Sequence, residues 1–220
     1  ARLLTPSDFG LIGIAMLAMS AVEMLSETGF QTVLIQKKGN IREFLDTAWT
    51  VAAIRAVILF GLLFFTSPFI ANFFNSPQTS LIIKVIAIST LLSGFGNVSI
   101  LYFQKELQFH KQFIYEVTAN IVDLIVSIYL AFILKSVWAL VWGGLAGHII
   151  RFVISYAIYP YRPRIRIEKE KLHELFMFGR WIFGSSIVIF LVTQGDSIFL
   201  GKMLGITALG FYQMAFTLSN

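Results

Sequence analysis

Long apolar blocks, each bounded by short charged loops, recur along the whole sequence and leave few folds open to it. About 20 apolar residues are what a helix needs to cross hydrocarbon. Such blocks fall at 9–34, 44–66, 80–101, 112–134, 137–158 and 175–200, and a seventh begins near 207. Composition agrees: 57% of residues are hydrophobic and 13% charged, against about 45–50% and about 25% in soluble domains. A bilayer is the solvent such a chain requires. The expected fold class is all-α, a polytopic transmembrane helix bundle.

Loop charge gives an independent reading of topology. Loops 35–43, 102–111 and 159–174 hold Lys37, Lys38, Arg42, Lys105, Lys111, Arg162, Arg164, Arg166, Lys169 and Lys171, whereas the alternate segments hold only Arg2, Lys135 and Lys202. Basic residues concentrate on the cytoplasmic side of membrane proteins, so the first helix is expected to run inward and 159–174 to be cytoplasmic. The net charge of +5 therefore orients helices, and no nucleic-acid motif accompanies it. Pro6, Pro68, Pro77, Pro160 and Pro163 are all placed in loops or at helix ends, where a missing N–H costs little, so no helix is expected to be interrupted.

The polar stretch 159–174 divides the chain into 1–158 and 175–220. An internal echo supports two lobes. Leu4, Gly10 and Ala15 recur as Leu204, Gly210 and Ala215, each pair 200 positions apart and each set preceding an inward-running helix. Internal repeats mark secondary transporters. On this reading, 1–158 holds helices two to six of a six-helix N-terminal lobe whose first helix is missing, and 175–220 begins a truncated C-terminal lobe.

Ionisable residues inside a span cost about 2.5–3.5 kcal/mol each at a helix centre, so they face a cavity or one another. Arg55 lies 11 residues beyond Phe44, Asp123 11 beyond Gln112 and Glu23 12 before Ile35. At 1.5 Å per residue that puts all three about 17 Å from the cytoplasmic side. Arg55 with Asp123 or Glu23 is either a structural pair or part of a substrate or ion site. Glu116, Asn120, Asp123 and Ser127 form one polar stripe, and Gly144, His148, Arg151 and Ser155 another. Glu23 and Glu27 share a face. Arg151 either snorkels or meets substrate, and Asp196 caps a turn or binds an ion. His148 reads as a packing or hydrogen-bonded group, and Gly143 with Gly147 as a small-residue helix contact. Trp138, Trp142, Tyr156, Tyr159 and Tyr161 read as interfacial aromatics.

Catalytic patterns are missing. Cysteine is absent, and His110, His148 and His173 fall in separate segments without metal-ligand spacing. No nucleophile elbow or phosphate loop occurs, so neither a metal nor a cofactor is expected.

Leu4-Thr-Pro-Ser-Asp-Phe-Gly10, Gly29 to Lys37, Leu107-Gln-Phe109, Gly179, Asp196 to Gly201 and Gly205 to Ala215 together resemble the polysaccharide flippase family. These are the O-antigen and exopolysaccharide exporters of the superfamily that also holds the multidrug (MATE) exporters and the peptidoglycan-precursor flippase. The resemblance implies a two-lobed, MATE-like bundle in the bacterial inner membrane around a cavity that opens alternately to either face. The implied cargo is an undecaprenyl-diphosphate-type lipid-linked oligosaccharide, and the implied partners are membrane lipids, a polysaccharide polymerase and export proteins. Such a cargo calls for cations at its diphosphate, for which Arg55 and Arg151 are the candidates. Glu23, Glu27, Asp123 and Asp196 are the candidates for a coupling ion or the cavity wall. A drug or small-solute exporter of the same fold and a membrane-embedded glycan-modifying enzyme are the alternatives.

The charge pattern carries a direct test. Single cysteines at Asn40, Gln108 and Lys169 should react with an impermeant thiol reagent only from the cytoplasm, and one at Gln78 only from outside. Labelling of Lys169→Cys and Gln78→Cys from the same side contradicts the topology.

Overall fold

A computed structural model describes residues 4–26, 34–35, 41–159 and 161–219, with side chains of 25, 169–183 and 217–219 left out. Glu27, one of the sequence candidates, lies outside the described residues, as do Lys37, Lys38 and Asn40. Every regular element described is helical: α1 Pro6–Leu25, α2 Arg42–Phe73, α3 Pro77–Phe95, α4 Leu101–Lys105, α5 Phe109–Leu134, α6 Trp138–Ile158, α7 Lys169–Met203 and α8 Ile206–Ser219. Six are long and apolar enough to span a membrane, so the all-α polytopic bundle is met.

Local chemistry explains the helix starts. Thr5, Pro6 and Asp8 open α1 with a reciprocal capping box: the Thr5 hydroxyl accepts from the Asp8 N–H, and the Asp8 carboxylate accepts from the Thr5 N–H at 2.9 Å. Proline at the first helical position of α1 and α3 gives up an N–H that had no intrahelical partner. The other Asp8 oxygen accepts the Val137 N–H at 3.1 Å, tying the start of α1 to the α5–α6 turn.

One expectation is overturned. Pro68 lies inside α2, which continues to Phe73 instead of ending at 66. Proline cannot donate to the Phe64 carbonyl one turn back. The Ser67 hydroxyl takes that carbonyl instead, at 2.9 Å, and Thr66 donates to Leu62 at 2.6 Å. In hydrocarbon such side-chain replacements let a proline-bearing helix continue. Conversely, the helix expected to reach 101 stops at Phe95. Asn97 donates to the Tyr161 carbonyl at 2.9 Å, and its own N–H goes to the Ser155 hydroxyl at 3.0 Å, which pulls the chain out of helical register. The linker is shorter than its charge pattern suggests, since α7 begins at Lys169.

Packing radiates from α3. Its Ile82, Ile83 and Ala87 meet Leu11 and Ala15 of α1, Leu63 of α2 and Val141 of α6 in one core. Helix α5 lies on α6, and α8 on α1. Burying these side chains gains about 25 cal/mol per Å² only against water; in lipid the same contacts hold by close fit. Gly143 and Gly147 supply that fit. A methyl group on Gly143 would run into the Ser127 hydroxyl, and one on Gly147 would sit 3.0 Å from the Asp123 Cβ. The small-residue contact expected from the sequence is therefore the α5–α6 seam.

The echoed segments meet as well. A methyl on Gly10 would strike the Ile206 carbonyl, and one on Gly210 would strike the Pro6 carbonyl. Gly13 in turn faces Gln213, whose Cγ would be 3.2 Å from an added Cβ. Position 6 meets 210, 10 meets 206 and 13 meets 213, which is the reciprocal pattern that a two-fold axis produces.

Neighbouring glycines test the packing. Gly143→Val should lower the unfolding free energy of the purified protein by about 1–3 kcal/mol through overpacking, whereas Gly144→Ala, which has nothing within 4 Å, should leave the thermal midpoint unchanged. Equal shifts for the two would remove the seam from the account.

Candidate functional site

The ionisable residues of the spans sort into two groups, and α3 lies between them. Arg55 on α2 reaches α1: its guanidinium donates to the Glu23 carbonyl at 2.9 Å and to the Ser26 hydroxyl at 3.1 Å. The Glu23 carboxyl is within electrostatic reach of that guanidinium. Together Glu23 and Arg55 line an open pocket of about 120 Å³ with Ala52, Thr90, Ser93 and Gly94. Among the described residues the Thr90 hydroxyl is buried there without a hydrogen-bond partner, an arrangement that leaves it for a water or a ligand.

Ser93 joins this pocket to the second group. It is hydrogen-bonded with His148 Nδ1 on α6 at 3.3 Å, so His148 is the hydrogen-bonded group the sequence suggested. One turn further on, Arg151 donates to the Asn120 amide oxygen of α5 at 2.6 Å. Asp123, three residues beyond Asn120, accepts from Ser127 at 3.0 Å and is within electrostatic reach of His148. Among the described residues no ion pair joins Asp123 to Arg55. Of the two partners considered for Arg55 from equal depth, the Glu23 segment is the one it meets, and Asp123 belongs to the α5–α6 seam. Depth counts turns along a helix but says nothing about which face a residue occupies, and that is why the sequence left the partner open.

Asp196 stands apart. The Tyr212 hydroxyl of α8 donates to its carboxylate, and the Ser197 N–H donates at 2.7 Å. It lies well inside α7, not at a turn, and ties α7 to α8. Lys202 donates to the Phe73 carbonyl at 2.7 Å, at the helix ends opposite the basic loops. Lys84 lies over the Phe64 ring at 5.0 Å.

Ser93 and Thr90 escaped the sequence reading because a lone hydroxyl on an apolar helix has no distinguishing pattern. A second feature missed there is the tether at the basic end. Tyr161 donates its hydroxyl to Asp46, and the Arg164 N–H donates to the same carboxylate at 3.0 Å. Burial and the neighbouring carboxylate push the Tyr161 hydroxyl well above its ordinary range, so it stays a donor at any physiological pH. No cluster of metal-ligating residues occurs among the described residues.

What the arrangement can do follows from its charges. Two guanidiniums sit at either side of α3, with a histidine and hydroxyls between them, in a bundle otherwise sheathed by aliphatic and aromatic side chains. Guanidinium groups hold phosphate oxygens through paired, charge-assisted hydrogen bonds.

Comparison with known proteins identifies the family. A family model described as "Polysaccharide biosynthesis protein" matches residues 1–220. Among curated proteins, the chain is 22% identical to the succinoglycan biosynthesis transport protein ExoT of Rhizobium meliloti over 98% of its own length and 44% of that protein. It is 24% identical to the teichuronic acid biosynthesis protein TuaB of Bacillus subtilis over 88% of its length and 41% of TuaB. With the lipopolysaccharide biosynthesis protein WzxC of Escherichia coli it shares 22% identity over 100% of the chain and 45% of WzxC. The chain thus spans a little under half the length of these relatives. No solved structure matches it. With six membrane-length helices and these relatives, it is a multi-pass protein of the bacterial inner membrane. The match of the family model along the whole chain means that it belongs to the polysaccharide biosynthesis protein family.

Proposed function

We propose that the protein moves a polyprenyl-diphosphate-linked oligosaccharide outward across the inner membrane for surface polysaccharide synthesis, by alternating access. One observation carries the reading. Arg151, inside the α6 span, is held by the neutral Asn120 amide, and among the described residues no carboxylate lies within ion-pair distance of it. A cation kept in a span without a countercharge is costly unless an anion visits it. A diphosphate supplies that anion, and Arg55 supplies a second cation across α3.

The relatives' printed roles, in succinoglycan transport and in teichuronic acid and lipopolysaccharide biosynthesis, support a glycan cargo. The reciprocal contact of α1 with α8 supports the division into two repeats, 1–158 and 175–220, joined by the linker. Helices meeting this way form a seam that two lobes could open and close. Glu23, beside Arg55, is the acidic group best placed for a coupling ion, with Asp123 and Asp196 on neighbouring helices. Glu27 keeps the assignment its spacing from Glu23 suggests. A polymerase and export proteins would receive the delivered glycan.

The test uses full-length protein in cells that depend on it for surface glycan. Arg151→Gln and Arg55→Gln should leave protein abundance in the membrane near normal and lower glycan export about tenfold or more, the loss of one charge-assisted phosphate contact of about 1.5–3 kcal/mol. Lysine at either position should restore part of the export, because charge returns without the planar fork. Normal abundance with full export in both Gln variants contradicts the assignment.

A further inference from the structure

The linker between α6 and α7 is an extended strip fastened to the first turns of α2. The Arg164 N–H donates to Asp46 Oδ1 and the Arg166 N–H to the Thr50 hydroxyl, both at 3.0 Å. Alternate residues of an extended chain point to opposite sides, so Arg164 and Arg166 fall on one side of the strip and Ile165 and Ile167 on the other.

The two isoleucines, with Trp49, Ile54 and Ile58 of α2, line an apolar groove of about 390 Å³. Ile165 is 85% exposed and Ile58 61%. Both arginines are exposed beside it. Among the described residues the Arg166 guanidinium pairs with the Glu168 carboxylate alone, at 3.1 Å on the surface, and the Arg164 guanidinium makes no hydrogen bond.

Position narrows what can fill the groove. Helix α2 has 32 residues, well over the ~20 that cross hydrocarbon, so its first turns stand in the headgroup layer at the basic end. Trp49 marks that boundary, as interfacial tryptophans do. At about 100° per residue, positions 54, 57 and 58 lie on the face of α2 opposite to positions 52, 55, 56 and 59, which line the Arg55 pocket. The groove therefore faces away from the pocket lined by Glu23 and Arg55.

We propose that this groove is a binding site for an anionic phospholipid of the cytoplasmic leaflet, with a fatty-acyl chain along Ile54, Ile58, Ile165 and Ile167 and the phosphate on Arg164 and Arg166. Occupied, it anchors the fastened linker and the start of α2 at headgroup height in the bilayer. Neither arginine side chain holds the strip, since that work is done by backbone N–H groups. Their replacement tests the site without unfastening the linker.

The measurement is electron spin resonance on the full-length protein in phosphatidylcholine vesicles, with a trace of phosphatidylglycerol or phosphatidylcholine spin-labelled near the chain end. Motionally restricted phosphatidylglycerol should exceed phosphatidylcholine by at least about threefold in relative association, as expected for two basic side chains at the surface. Arg164→Gln with Arg166→Gln should abolish the preference. Lys111→Gln, which removes a charge at the same end of the bundle, should leave it intact. Ile165→Ser with Ile167→Ser, which keeps both charges, should also lower it. The proposal is overturned by equal association of the two lipids, by a loss in Lys111→Gln as large as in the paired arginine variant, or by full preference in the serine variant. Displacement of the labelled lipid by added polyprenyl diphosphate would likewise overturn it, by giving the groove to the cargo.

Discussion

Hydrocarbon offers no hydrogen bonds, so every polar group within the spans must find its partner inside the protein. That requirement explains the irregularities of the bundle better than any helix propensity does. Pro68 survives in α2 because Ser67 and Thr66 serve the carbonyls beside it. Arg55 is oriented by a carbonyl and a hydroxyl of α1, and Asp123 by Ser127. These side chains are thereby held in fixed orientations.

The same requirement separates charges that backbone groups engage from those they do not. Asp8 and Asp46 are consumed by backbone N–H groups at the two ends of the bundle. Arg151 differs, since its one described hydrogen bond goes to an uncharged amide. Favourable interactions of a cation with a neutral oxygen lessen the desolvation cost without cancelling the charge. The pocket lined by Glu23, Arg55 and Thr90, and its connection through Ser93 to His148, extend that charged region across α3.

The sequence made the class of fold plain because length and hydropathy are one-dimensional quantities. Each expected span is met by a helix, the first running from Pro6 to Leu25 instead of 9 to 34. Among the described basic residues of the loop clusters, Arg162, Arg164 and Arg166 lie in the linker, while Arg42, Lys105, Lys111 and Lys169 lie in the end turns of helices. The break at Phe95 and the fastening of the linker to α2 were illegible for a common reason: each depends on a hydroxyl, amide or carboxylate whose partner is distant in the chain. Ser155 is 58 residues from Asn97, and Asp46 115 from Tyr161. The continuation of α2 through Pro68 rests instead on hydroxyls three and four residues from the carbonyls they serve. The candidate site was half legible. Arg55, Asp123 and Arg151 stood out as ions in apolar helices, but their partners follow from which helix faces meet. The Gly10 and Gly210 echo was visible as sequence, and its meaning became clear only when the two segments were found packed on each other.

That contact is where transport by alternating access can be tested most directly. Gly13 and Gln213 face each other across this contact, an added Cβ on Gly13 lying 3.2 Å from the Gln213 Cγ, which makes the pair a site for a disulfide cross-link. With cysteines at both positions in the full-length protein, mild oxidation should form the bond rapidly and stop glycan export, and reduction should restore it, because the proposed alternating access requires α1 and α8 to part. Complete cross-linking with undiminished export would mean that the seam never opens, and would contradict the account.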